Sequence, residues 1–179
     1  MISHEHKCIF IHIPRTGGTA LERSFNFADE PTKHLCAKSI YLKVGQEIWD
    51  NYFKFTFVRN PWDRVISLWH QPIYEKINAL SGHSLEFFLD HYTPCPHEQG
   101  VTFKDYLNYG AMDFVGRFEN RTEDLSLISQ KINYPIDALV RDRCTGPREP
   151  YQYYYTPSLE KRVQQKYKED TETYNYTFA

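Results

Sequence analysis

Apolar and polar positions along this chain fall into blocks that repeat one grammar. Residues 7–13, "KCIFIHI", form a β-rich apolar run that stops at Pro14. Gly17 and Gly18 follow at once, and a helical pattern over about 18–27 places Leu21 and Phe25 four apart on one face. Strand, Gly-rich turn and helix in that order make a phosphate cradle, because the turn and the first helical residues aim unpaired backbone N–H groups at one point. A polar loop covers 28–36. Short helical segments are expected over 37–50, broken near Gly45.

The grammar returns in "YFKFTFVRNPWDRVISLW". Phe53–Val58 reads as a buried strand from its unbroken β-rich character. Asn60 suits a helix N-cap, Pro61 the first helical position, and Asp63 the positive end of the helix. Val65, Ile66, Leu68 and Trp69 supply its buried stripe. Residues 81–101 read as a loop-rich insertion with one short helix at 85–90. "DFVGRF" gives a third strand at 114–118, and "NRTEDLSLISQKI" a helix capped by Asn120 with Glu123 three residues on. The last helix opens at Thr156 and Pro157 and carries Leu159, Val163 and Tyr167 at four-residue spacing. Strands alternating with helices predict an α/β fold: a single P-loop-like domain over 1–179, three layers deep, with a central parallel sheet flanked by helices and ligands at the strands' carboxyl ends.

Composition keeps that picture and removes several function classes. A chain of 179 residues suits one domain with a proper core. With 41% hydrophobic and 25% charged residues the balance is that of a globular protein. A formal net charge of -2 offers no global field for nucleic acid or an anionic membrane, so any basic pocket is local. No apolar run approaches the roughly 20 residues of a membrane span. The polar opening "MISHEHK", read as a frayed start holding His4 and His6, lacks signal-peptide features, and a cytoplasmic location is expected. Cys8, Cys36, Cys95 and Cys144 form no C-x-x-C pair, which points to free thiols and no metal site. The 14 Tyr and 12 Phe read as amphipathic rings filling a core and its rim.

The two strand-to-helix junctions point to one ligand with two anionic ends. The first offers Arg15, the Thr16 and Thr19 hydroxyls and the backbone N–H groups of Gly17, Gly18 and their neighbours through Ala20. The nucleotide-triphosphate pattern G-x-x-x-x-G-K-[ST] is absent: the first glycine is missing and the cation precedes the glycines. The second junction offers Arg59 and Ser67. Six residues separate Pro61 from Ser67, about 9 Å of helical rise, so an extended Arg59 is expected to reach the same phosphate as Ser67. A nucleotide with a 5′ diphosphate-like group and a separate 3′-phosphate fits both ends, as 3′-phosphoadenosine 5′-phosphosulfate (PAPS) does.

On "IFIHIPRTGGTAL", "KHLCAKSI", "YFKFTFVRNPWDRVISLW", "FVGRFENRTEDL" and "YYYTPSLEKRV", the chain resembles the PAPS-dependent sulfotransferases. The likeness is to the branch holding the carbohydrate 2-O- and related Golgi enzymes and their small bacterial relatives. It covers most of the chain except 71–110, which is assigned to the acceptor wall. The resemblance implies that Arg15–Thr19 form the 5′-phosphosulfate loop and that Arg59 and Ser67 hold the 3′-phosphate. It also implies that Tyr155 and Thr156 close over the cofactor, leaving adenosine 3′,5′-bisphosphate (PAP) as product. The family commonly has lysine where this chain has Arg15; a guanidinium stabilises charge on the leaving phosphate but donates no proton at neutral pH.

Transfer to a sugar or other alcohol hydroxyl needs in-line positioning, charge stabilisation and a base. The family places a catalytic histidine or glutamate in the loop after the first helix, which selects His34 as general base. Its ordinary pKa of about 6.5 predicts activity rising with pH through that value. Glu22 is the rival base, otherwise a surface carboxylate. His12 reads as buried and satisfied, Glu119 as a backbone or arginine anchor, and Lys33 and Lys38 as a solvated face that steers an anionic acceptor. Two other readings stand beside this one: a small P-loop kinase, and a non-catalytic nucleotide-binding domain. The former should show a loop lysine followed by Ser or Thr and a magnesium-binding aspartate ending a later strand. Here the loop cation is displaced and the second strand ends in Arg59 and Asn60.

Overall fold

A computed structural model describes residues 1–25, 32–71, 83–94, 99–136 and 148–179. The strands are β1 (Ile2–Ser3), β2 (Cys8–Ile11), β3 (Phe53–Val58) and β4 (Phe114–Arg117). The helices are α1 (Gly18–Ser24), α2 (Ala37–Asn51), α3 (Pro61–Trp69), α4 (Leu85–His91), α5 (Phe103–Tyr106), α6 (Arg121–Ile132), α7 (Pro157–Lys166) and α8 (Lys168–Tyr174). The sheet order is β1-β2-β3-β4, with β2–β3 and β3–β4 parallel. Register pairs Ile11 with Thr56 and Val58 with Arg117, so the carboxyl ends of three parallel strands lie side by side.

Burial on both faces explains the unbroken apolar run of β2, while β3 buries Lys54 and Thr56 between its apolar positions. Ile9 and Ile11 join Val58, Val65, Ile66, Leu68 and Val163 in one core, while Cys8, Phe10, Phe55 and Phe57 join Leu21, Leu125 and Ile128 in the other. Helices therefore flank an α/β sheet on two sides, as expected. α3 starts where its sequence dictates: the Asn60 side chain accepts from the backbone N–H groups of Trp62 and Asp63, and Pro61 occupies the first turn. The break expected near Gly45 is present, with φ 79° and ψ 171° inside α2.

Several sequence expectations change. The opening residues are not frayed: β1 pairs antiparallel with β2, the Met1 amine donates to the Phe10 carbonyl at 2.7 Å, and Met1 is buried. His4 meets the Tyr52 hydroxyl at 2.8 Å, and the His6 ring lies 4.1 Å from that of Tyr134. A two-residue strand is too short for a period to show. Asn120 does not cap α6 through its side chain but donates to Asp124, because a 3₁₀ turn at Phe118–Asn120 already leads the chain into the helix. α5, with a capping box of Thr102 and Asp105, went unrecognised in the sequence. Within 71–110, Leu85, Phe88, Leu89, Tyr92, Phe103 and Tyr106 belong to the main core. The end of the helix expected over 18–27, and Cys95 and Cys144, lie outside the described residues. Cys8 and Cys36 are free thiols, and burial pushes Cys8 up to about 12. No helix among the described residues is long and apolar enough to cross a membrane.

Candidate active site

The loop after β2 is built for close approach. Gly17 has φ 83°, a left-handed conformation that glycine adopts without a steric cost. A Cβ there would meet the Phe118 ring at 3.0 Å, and one at Gly18 would fall 2.3 Å from the His12 ring. Arg15 holds φ 66°, uncommon for a residue with a side chain and frequent at functional turns. Inside the turn the Thr16 hydroxyl donates to the Ile13 carbonyl at 2.8 Å and is buried, so it braces the loop. Thr19 is half-buried in the first turn of α1. Ala20 lies in the same turn, at the positive end of a helix whose first N–H groups lack intrahelical partners.

The second junction meets the first through Arg15. Arg15 Nε donates to Ser67 Oγ at 2.8 Å, and Arg59 Nη1 donates to the Arg15 carbonyl at 3.0 Å. Arg59 also grips Asp63 through Nε at 2.7 Å and Nη2 at 2.6 Å, and its guanidinium lies 4.0 Å from the Phe118 ring centre. Arg148 pairs with the other Asp63 oxygen. Arg59 and Ser67 share no hydrogen bond; Arg15 lies between them as the common partner. The axial-rise estimate located Ser67 along its helix but carried no information on which arginine would turn toward it.

Three contributors escaped the sequence reading. Arg64 is buried in α3, donating from Nε to the Pro14 carbonyl at 2.9 Å and from Nη1 to the Val101 carbonyl at 2.6 Å, which ties α3 to the root of the first loop. Its place four residues before Leu68, on the apolar stripe, was the available signal. Phe118 and Arg148 had none, because their partners are remote in sequence. Tyr155 donates its hydroxyl to the Trp62 carbonyl at 2.9 Å, and Thr156 caps α7. Glu119 anchors backbone as expected, accepting from the Asn60 N–H at 2.6 Å and from the Tyr176 hydroxyl at 2.9 Å.

His34 is buried, has φ 60°, and meets the His12 carbonyl through Nδ1 at 3.1 Å. Burial first, and then the neighbouring His12, lower its pKa to about 2, so the ring is neutral over the whole working range. This displaces the activity limb expected near 6.5. Glu22 is not a surface carboxylate: it is buried, 2.6 Å from His12 Nδ1 and 2.9 Å from Lys33 Nζ. Burial alone would raise its carboxyl, but His12 and Lys33 outweigh that effect and hold it at about 2. Lys33 therefore serves Glu22 and is not simply part of a solvated face, whereas Lys38 is exposed. Ligand atoms of His12, Glu22 and His34 lie within 4.8 Å of one another, a set that suits a transition metal, yet the Lys33 ammonium already neutralises the carboxylate.

A glycine turn joined through an arginine to a second cationic junction lies at the carboxyl edge of a parallel sheet, where α/β folds place their ligand sites. Residues 1–177 match the model of the sulfotransferase family, and the chain belongs to that family, a PAPS-dependent transferase. An uncharacterized protein of Archaeoglobus fulgidus is 31% identical over 105 residues, covering 55% of this chain and 82% of the relative. No solved structure matches the chain.

Proposed function

We propose that the protein transfers the sulfuryl group of PAPS to an acceptor hydroxyl, of a sugar or another alcohol, by in-line displacement and without a metal, in a cytoplasmic setting. The observation that carries this reading is the Arg15 bridge, which contacts Ser67 through its side chain and Arg59 through its carbonyl. One residue thereby belongs to both anion sites, as a ligand charged at its 5′ and 3′ ends requires. Bound PAPS supplies an activated sulfuryl group whose departure leaves charge on the 5′-phosphate. Arg15 and the N–H groups from Thr16 to Ala20 hold that end, and the guanidinium stabilises the growing charge. Arg59 and Ser67 hold the 3′-phosphate, with Tyr155 fixing the start of α3 beneath them. His34 takes the acceptor proton. The His12 carbonyl only accepts, so His34 carries its proton on Nδ1 and presents an unprotonated Nε2. The acceptor wall is assigned to residues 71–110, of which 72–82 and 95–98 lie outside the described residues. Calorimetry with PAP and AMP in metal-free buffer tests the reading: PAP is expected to bind much more tightly, and equal affinities overturn it.

A further inference from the structure

Behind His34 lies a charged cluster that the transfer reaction as described leaves unused. Glu22 on α1 is only 5% exposed, and a buried carboxylate is costly unless paired. Its Oε1 lies 2.6 Å from His12 Nδ1 and its Oε2 lies 2.9 Å from Lys33 Nζ. The His12 and His34 rings are 4.4 Å apart, and a Glu22 oxygen lies within 4.8 Å of a ring nitrogen of each. Neither His12 Nδ1 nor Glu22 Oε1 finds an in-line hydrogen-bond partner, although the two atoms touch.

We propose that Glu22 is a positioning and charge-balancing residue for His34: its carboxylate neutralises Lys33 in the resting site and compensates the imidazolium formed when His34 Nε2 takes the acceptor proton. The inference rests on the reading of His34 as the base. Among the described residues, the charged or titratable groups that shift His34 include His12, Lys33 and Glu22, and Glu22 is the acid of these three. Removing its charge leaves the Lys33 ammonium unopposed beside a ring that must become cationic. His12 links the parts: its ring packs under Gly18 of the phosphate loop, its Nδ1 faces Glu22, and its carbonyl holds His34.

Glu22→Gln keeps the side chain's size and removes its charge. Sulfate release from PAPS, with water as the acceptor, provides the rate, and calorimetry with PAP provides the affinity. Glu22→Gln is expected to lower kcat about 10–100-fold, the range for losing an opposite charge at this separation. KM for PAPS and PAP affinity stay within about twofold. Adding Lys33→Met to Glu22→Gln is expected to recover roughly tenfold, because it removes the unopposed cation. A purely structural Glu22 predicts a double variant no better than the single one. In ¹⁵N-histidine-labelled protein with PAP bound, His34 is expected in one tautomer protonated at Nδ1. Its Nε2 resonance moves in Glu22→Gln and returns in the double variant. Unmoved His34 resonances, or a double variant no faster than Glu22→Gln, overturn the inference. A His34→Ala protein with unchanged sulfate release removes the base reading instead. Impaired His34→Ala with unimpaired Glu22→Gln leaves that reading standing and discards only the role of Glu22.

Discussion

Arg15 Nε donates to Ser67 Oγ at 2.8 Å, across 52 positions of sequence. The bond joins the loop after β2 to the middle of α3, and it forms because β2 and β3 are parallel neighbours whose carboxyl ends emerge together. The serine is thus occupied by the cation of the first loop, while Arg59 is occupied by Asp63. On the proposed reading, nucleotide binding is expected to exchange these internal partners for phosphate oxygens.

Arg59→Ala is expected to weaken PAP binding by about 1.5–3 kcal/mol, the range for a hydrogen-bonded charged partner, while leaving AMP affinity nearly unchanged. Ser67→Ala is expected to act in the same direction with a smaller effect. Calorimetric titrations of both nucleotides check this. An unaltered preference in Arg59→Ala removes the 3′-phosphate assignment.

Arg15→Ala is expected to reduce turnover far more than PAP affinity, because the charge it faces grows as the sulfuryl group departs. Arg15→Lys is expected to retain much of the activity. Steady-state rates at saturating PAPS decide the matter; normal turnover in Arg15→Ala excludes it from the mechanism.

His34→Ala is expected to lower turnover roughly 10²–10⁴-fold with PAP affinity intact. In the wild type, kcat/KM is expected to show no histidine limb between about pH 5 and 8, since burial keeps His34 neutral throughout that window. A pH profile that climbs through about 6.5 and flattens in His34→Ala would restore the unperturbed ring.

Acid stability follows from the same burial. The unfolded His34 takes up a proton below about 6.5, whereas the folded ring resists protonation down to about 2. Its contribution is complete above the unfolded value and is lost as pH falls toward the folded one. Glu22 adds a second loss as pH falls from its ordinary range to about 2. Tm is therefore expected to drop between pH 7 and 5. His34→Asn, which tolerates the left-handed backbone at this position, is expected to flatten that drop. Calorimetric scans at the two pH values compare them, and equal drops in both proteins contradict the assignment.

Gly18→Ala is expected to damage both halves of the site, because the new methyl overlaps the His12 ring that underlies the loop. Gly17→Ala adds the cost of a left-handed alanine, about 1–2 kcal/mol, and a tight contact with Phe118. Loss of PAP binding with a folded circular dichroism spectrum is the expected result for each; normal binding in either would show that the loop has room to adjust.

What the sequence determined by itself was local. The runs at β2 and β3, the Asn60–Pro61 start of α3, the Gly45 break and the two strand-to-helix junctions follow from side-chain periodicity and backbone preference, which act within a few residues. The two junctions and their strands also carried the family resemblance. What needed the tertiary structure was partnership. That Ser67 takes Arg15 while Arg59 takes Asp63, that Arg64 is a buried tie to Pro14, and that Phe118 lies against Gly17 and Arg59 depend on strand order and register. Glu22 shows the difference most sharply. From sequence it is an acid near the start of a helix, but the sheet brings β2 beneath α1 and folds the loop carrying Lys33 and His34 back onto both. Burial there strips the water that would screen its charge, so the same carboxylate becomes the ion-pair partner of Lys33, set against the His12 ring.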